Sequence, residues 1–288
     1  MKSLHGRSLP VFPSLLAESP QYDGSTNSLL WVDILKCTVH VFHFDRQRET
    51  LFACPLGVIP GFAVPMDLNA GSILLGSSVG VCACRLVDGI VCVLLHILRS
   101  SDIWKDRGEL DRFRINDGQM SPCRRWVVFG VMQWKRHEHD TREKGSGSYW
   151  ALHMSTLVGH NCLSSQSDYH GVTIPNGIAW NSDETLIYMV ETASCCLFIA
   201  KWDPANRRPL GKILNIVNLG VAAVRPDGIA LDSMDRLWVA CVASGKVTCC
   251  LVDDAQNAVT PIAVAAVPST SFVTSCTFGG PGAGLSCL

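Results

Sequence analysis

Two stretches of the chain, PNGIAWNSDETLIYMV (175–190) and PDGIALDSMDRLWVAC (226–241), align without a gap and begin 51 residues apart. Pro, Gly, Ile, Ala, Ser and Leu recur at matching places, and the second position is Asn176 in one copy and Asp227 in the other. Self-similarity at a period of this size marks a chain built from repeated structural units. Weaker copies begin near Pro20 (SPQYDGSTNSLLWVDI), Pro65 (VPMDLNAGSILLGSS) and Asn116 (INDGQMSPCRRWVVFGVM). After the clear pair comes TSCTFGGPGAGLSCL, with Phe278 in the place of Trp180.

Each unit carries a polar turn and then a short apolar run such as LLWVDI, SILLGSS, TLIYMVE or RLWVAC. Runs of this length, rich in Trp, Val, Ile and Tyr and bounded by Gly, Asn and Asp, read as buried strands. Only IVCVLLHIL (90–98) is ambiguous between strand and helix. Starts spaced about 45 to 60 residues apart match a four-stranded propeller blade with its loops. The expectation is an all-β chain: a six-bladed β-propeller with four-stranded antiparallel blades, forming a single domain over residues 1–288. In the last unit the sequence stops at Leu288, where the next apolar strand is due, so the sixth blade is expected to be incomplete.

Composition agrees with buried strands: 48% of residues are hydrophobic and 17% charged. A formal charge of -1, from 24 basic and 25 acidic residues, gives no field of one sign. Nucleic acid and anionic membrane are therefore poor candidates as partners. No run approaches the roughly 18 apolar residues of a membrane span. Pro10 and Pro13 interrupt any signal-peptide core, and there is no N-x-S/T sequon, so a cytoplasmic location is the simplest expectation. None of the 14 cysteines forms a C-x-x-C pair, and most sit in strand-like runs, where reduced thiols serve as small hydrophobes.

Three loops place acidic or amide side chains at equivalent points: LLAESPQYD with Glu18, IPNGIAW with Asn176 and RPDGIAL with Asp227. A fourth, RFRINDGQM, offers Arg114, Asn116 and Asp117. Taken singly, Asn176 and Asp227 are turn residues and Glu18 is a surface carboxylate. In a propeller, however, entrance loops converge on one end of the channel, and residues distant in sequence meet there.

With these motifs in their order, the chain from about Leu15 to Leu288 resembles the senescence-marker protein/gluconolactonase/regucalcin family of six-bladed propellers. The resemblance implies one divalent cation held by Glu18, Asn176 and Asp227, with waters completing the shell. It further implies that Arg114 and Asn116 face a sugar substrate, with Glu143, ahead of GSGSYW, as a further substrate contact. Two carboxylates and an amide suit calcium, magnesium or manganese and do not exclude zinc. The reaction implied is hydrolysis of a small-molecule sugar lactone to its aldonic acid, with Asp227 as the base. Asp117 is expected to shape its loop rather than to bind the ion. Ala17, Ser121 and Val131 depart from the glycine, aspartate and threonine common in the family. Two other functions fit the same residues: a calcium-binding regulatory protein with little turnover, and an inactive propeller acting as a scaffold.

Other motifs receive plainer readings. GSSVG (76–80) matches a nucleophile-elbow pattern, but a strand-like run follows it where a helix is required, which makes Ser78 a turn residue. The run 133–148, with His137, His139 and Asp140, reads as a solvated loop.

Overall fold

The computed structural model describes residues 2–5, 9–99, 103, 112–134, 143–155, 158–163, 171–203, 208–219, 225–253, 258–267, 270–280 and 286–287. His137, His139 and Asp140 lie outside these residues. The chain is all-β with almost no helix. After β1 (Lys2–His5), the strands come in groups of four. The first group is β2 (Ala17–Asp23), β3 (Ser28–Asp33), β4 (Thr38–His43) and β5 (Arg48–Ala53). The second is β6 (Pro60–Asp67), β7 (Ser72–Ser77), β8 (Gly80–Val87) and β9 (Ile90–Arg99). Next come β10 (Phe113–Met120), β11 (Trp126–Gln133), β12 (Ser148–His153) and β13 (Val158–Leu163), then β14 (Pro175–Trp180), β15 (Leu186–Glu191), β16 (Cys196–Asp203) and β17 (Arg208–Asn218). The last full group is β18 (Arg225–Leu231), β19 (Leu237–Val242), β20 (Lys246–Asp253) and β21 (Ala258–Ala266), followed by the two-residue pair β22 (Phe278–Gly279) and β23 (Ser286–Cys287).

Within each group of four, consecutive strands pair antiparallel as a meander. Two features depart from the simple count. The first two sheets join through a single parallel bridge, Ala53↔Ile90. The other departure is β1, which adds in parallel to β21 and occupies its open edge. The ambiguous run 90–98 is strand, in β9, where it pairs with β8 from Val87↔Ile90 to Gly80↔Arg99. Ser78 lies in the two-residue turn between β7 and β8, as its flanking strands required. The second repeat opens earlier than its sequence match at Pro65, because β6 starts at Pro60 and has Pro60 directly ahead of Gly61, where the P-N-G and P-D-G units carry Asn or Asp. Without a polar residue at that point, the repeat is masked in sequence.

The core is a set of layers between successive sheets. Leu30, Val32 and Val39 meet Leu75, Cys82 and Cys84 in one layer. In the layer between the β10–β13 and β14–β17 sheets, the Trp202 ring stands edge-on to Trp126 and Trp180, with centroids 6.4 and 5.3 Å away. Strands buried on both faces explain the high apolar fraction: every residue of β3, β11 and β14 is buried. No helix among the described residues is long and apolar enough to cross a membrane.

The first strands of the groups follow one another around a common centre. Asn116 Nδ2 donates to Pro175 O (2.9 Å), and Thr192 Oγ1 to Pro226 O (2.7 Å). Gly228 N donates to Thr274 O (2.7 Å), and Thr274 Oγ1 closes the circuit on Ala17 O (2.5 Å). Such close approach requires glycine at its tightest points. A Cβ on Gly177 would lie 2.5 Å from Ile229 N, and one on Gly228 would lie 2.1 Å from Ser275 Oγ.

Candidate functional site

Each of the five full-length inner strands breaks register close to its start. The irregularities fall at Glu18/Gln21, Pro60/Phe62, Ile115/Gly118, Pro175/Ile178 and Pro226/Ile229. A bulge leaves residues unpaired and re-aims their side chains. The sequence candidates occupy these places: Asn116 and Asp117 in one bulge, Asn176 in the next and Asp227 in the third, with Glu18 at the edge of the first. Ser19, just after Glu18, takes the left-handed conformation at φ 52°.

The structure gathers Glu18, Arg114, Asn116, Asp117, Asn176 and Asp227 as buried polar residues, each between 4% and 8% exposed. Asn176 is held from several directions. Its Nδ2 donates to Thr192 Oγ1 (2.8 Å), which turns its Oδ1 toward Asn116 Nδ2 (2.7 Å). Its backbone N–H donates to the Tyr149 hydroxyl (3.0 Å), and Tyr149 donates in turn to Val190 O (2.5 Å). Burial pushes the Tyr149 phenol well above its usual range, so it stays a neutral donor. Asn176 Oδ1 keeps a second lone pair for another partner.

Two of the carboxylates, unlike the amide, each leave one oxygen without a partner. Glu18 Oε2 and Asp227 Oδ1 are buried and accept no hydrogen bond. Burial raises the Glu18 carboxyl well above the ordinary range, and the charges of Asp227 and Asp117 raise it further, while Arg114 opposes the shift. Asp227 is raised well above its ordinary value by burial and then by Asp117, again against Arg114. Asp117 is pushed up to about 6 by burial, with its Oδ1 accepting from Gly118 N at 2.7 Å. That bond closes its own loop, in keeping with the shaping role expected from sequence.

Like charges crowded out of water favour protonation unless a cation joins them. This is the observation that fits a divalent ion: two partnerless buried carboxylate oxygens beside an amide oxygen with spare capacity. No group of three His, Cys, Asp or Glu side chains among the described residues forms a cation cage. An ion here would therefore be held by Glu18, Asp227 and the Asn176 amide, with water in the remaining positions.

Arg114 supplies the positive charge on the rim of the cluster. Its guanidinium lies 4.5 Å above the Trp134 ring, and its Nη1 donates to Ile115 O (2.9 Å). Glu143 is placed differently from the others. It is exposed on the loop before β12, tethered through its backbone N–H to Gln133 Oε1 at 2.8 Å, and it is not among the buried group.

Several supporting residues gave no signal of their own in the sequence. Thr192 links Asn176 to the backbone ahead of Asp227. Glu191 gathers the N–H groups of Thr173, Ile174, Ala193 and Ser194, which fixes the approach to β14. Asp33 performs the same service ahead of Glu18, accepting from Leu15 N, Leu16 N and Lys36 N. Asp33 and Glu191 both end the second strand of their group, so their signal was positional: an acid closing an otherwise apolar run.

Beside the cluster, a cavity of about 230 Å³ runs along the inner strands. Ser19, Asp117, Gln119, Trp180 and Phe278 are among its lining residues.

Repeated antiparallel sheets set around a polar centre, with acids on bulges of the innermost strands, define an all-β protein of propeller type. The chain belongs to the SMP-30/gluconolactonase/LRE-like family, whose region matches residues 16–285. It is similar to regucalcin of Sus scrofa, at 27% identity over 238 residues, covering 80% of this chain and 69% of that protein. Its fold is similar to that of a calcium-binding protein, regucalcin, from Agrobacterium tumefaciens. That likeness has a TM-score of 0.79 at 23% identity and covers 98% of this chain and 84% of the other. A gluconolactonase from Xanthomonas campestris shares the fold with a TM-score of 0.63 at 16% identity, over 92% of this chain and 80% of that one.

Proposed function

We propose that the chain is a divalent-metal-dependent hydrolase that opens a sugar lactone to its aldonic acid, and that it works as one six-bladed propeller domain in the cytoplasm. The observation that carries this reading is the pair of buried, partnerless oxygens on Glu18 and Asp227 beside the fixed Asn176 amide. A cation bound there supplies Lewis-acid polarisation of the lactone carbonyl. Calcium, magnesium, manganese and zinc all suit this donor set.

The residues of the chain do the rest. Asp227 takes the proton of the water that attacks the carbonyl carbon. The ester C–O bond then breaks, and the ring oxygen leaves as a hydroxyl after accepting a proton. Arg114, stacked on Trp134, and Asn116, braced against Asn176, hold the ring hydroxyls in place before the attack. Glu143, on its exposed loop, contacts the outer face of the sugar.

A second reading, a calcium-binding regulatory protein with little turnover, uses the same ligands and is favoured by the relatives named regucalcin. A lactone-hydrolysis panel separates the two. Turnover that is lost on chelation and in Asp227→Ala supports the hydrolase. Saturable calcium binding without turnover on any lactone supports the regulatory protein, and full activity in Asp227→Ala refutes the assignment of that residue.

A further inference from the structure

Away from the acidic cluster, thiols gather along the seam that joins the first two sheets. Cys54 is within electrostatic reach of Cys37 and Cys84, and Cys84 of Cys82 and Cys92. Cys82 and Cys84 are sealed in the apolar layer, whereas Cys37 and Cys54 are only half-buried. These two sit opposite each other. Thr38↔Ala53 is the terminal pair of the β4–β5 ladder, and one residue further on Cys54 N donates to Cys37 O at 2.9 Å. Facing residues at such a hydrogen-bonded step have Cα atoms about 5.5 Å apart. Disulfides span roughly 4.4–6.8 Å between Cα atoms.

We propose that Cys37 and Cys54 form an oxidisable pair that closes to a disulfide in the presence of a peroxide. The Cys37 sulfur, as thiolate, attacks one peroxide oxygen. The O–O bond breaks, leaving a sulfenic acid on Cys37 and releasing water once a proton is taken up. The Cys54 sulfur then displaces the hydroxyl as a second water, and the S–S bond forms. Two thiols lose two electrons and two protons, and hydrogen peroxide is reduced to two waters. Burial pushes the Cys54 thiol up to about 12, which leaves Cys37, whose thiol is also raised, as the first to ionise. Thiol oxidation follows thiolate character and access, so the reaction is slow at neutral pH and faster in alkali.

The position of the pair gives the bond a consequence. Cys37 is the last residue of the turn that follows Asp33, and Asp33 holds Leu15 and Leu16 just ahead of Glu18. A disulfide would lock the turn on which the first acidic residue depends.

The experiment uses the full chain, fully reduced and then exposed to hydrogen peroxide. Remaining thiols are blocked with N-ethylmaleimide, and peptides are mapped by mass without reduction. The expected product is a Cys37–Cys54 linked peptide that disappears on reduction and is absent from Cys37→Ser and from Cys54→Ser. Recovery of both cysteines alkylated in the oxidised wild type overturns the proposal, as does a link from Cys54 to Cys84 in place of Cys37. The wild-type map decides even if a variant folds poorly. A link found only in urea-unfolded chain also counts against the pair.

Discussion

Asp227 and Glu18 would each be unremarkable on a surface. Buried together, with one oxygen apiece lacking a partner, they cost free energy that hydrogen bonding elsewhere in the cluster does not return. Asn176 is the contrasting case, since each end of its amide has a fixed partner. Thr192 decides which end faces inward, because its hydroxyl hydrogen is already committed to Pro226 O and it can only accept from Asn176. Thr192→Val is therefore predicted to weaken divalent-cation affinity by roughly 10–100-fold, in line with other supporting residues of metal ligands. Thr192→Ser should restore it, because the hydroxyl is kept. Calorimetric titration of the two variants checks this, and equal affinity in both would show that the hydroxyl does not orient the amide. Among single residues, the sequence made Glu18, Asn176 and Asp227 visible through their motifs. Thr192 stayed hidden because one hydroxyl in VETA is chemically ordinary until the fold sets it between two loops.

At the scale of the strand, the bulge is the device that brings these side chains together. Two residues against one on the neighbouring strand, a single extra residue, turn an amide or an acid out of the alternation. The P-N-G and P-D-G motifs carry this geometry, with the polar residue in the bulge and glycine where the next inner strand comes close. At Gly228, an added Cβ would lie 2.1 Å from Ser275 Oγ and 2.7 Å from Ser275 Cα. Gly228→Ala should cost about 1–3 kcal/mol, the usual penalty for overpacking. Gly24→Ala, whose Cβ meets nothing nearer than Tyr22 Cε1 at 3.7 Å, is the control and should stay within about 0.5 kcal/mol. Denaturant unfolding of both variants makes the comparison, and equal loss would remove the close-approach argument. The repeats made most strands legible, including those bearing Asn176 and Asp227. β6 was misplaced because Pro60 stands ahead of Gly61 where a polar residue precedes the glycine in the P-N-G and P-D-G units. β9 was ambiguous because IVCVLLHIL is apolar at every position but His96 and so carries no period.

For the molecule as a whole, the acidic centre ties stability to pH and to cations. Glu18, Asp117 and Asp227 are all raised in the folded chain by burial. Between the ordinary carboxylate range and these raised values, the folded state binds more protons than the unfolded state, so stability falls as pH rises. The chelator-stripped chain should accordingly melt at a lower temperature at pH 8 than at pH 5, and a bound divalent cation should reverse the loss. A metal-free melting temperature that rises over that interval would contradict the assignment of these acids. Repetition and an apolar composition pointed to the all-β, propeller-type architecture. The pairing of β1 with β21 was not legible, because KSLH has no strand pattern of its own and depends on an open edge more than two hundred residues away.

Whether the buried acids are a cation site is decided by equilibrium titration of the chelator-stripped chain with calcium and with manganese. One saturable site per chain is expected in the wild type, and its loss is expected in Asp227→Ala. Absence of saturable binding in the wild type, or undiminished binding in Asp227→Ala, would contradict it.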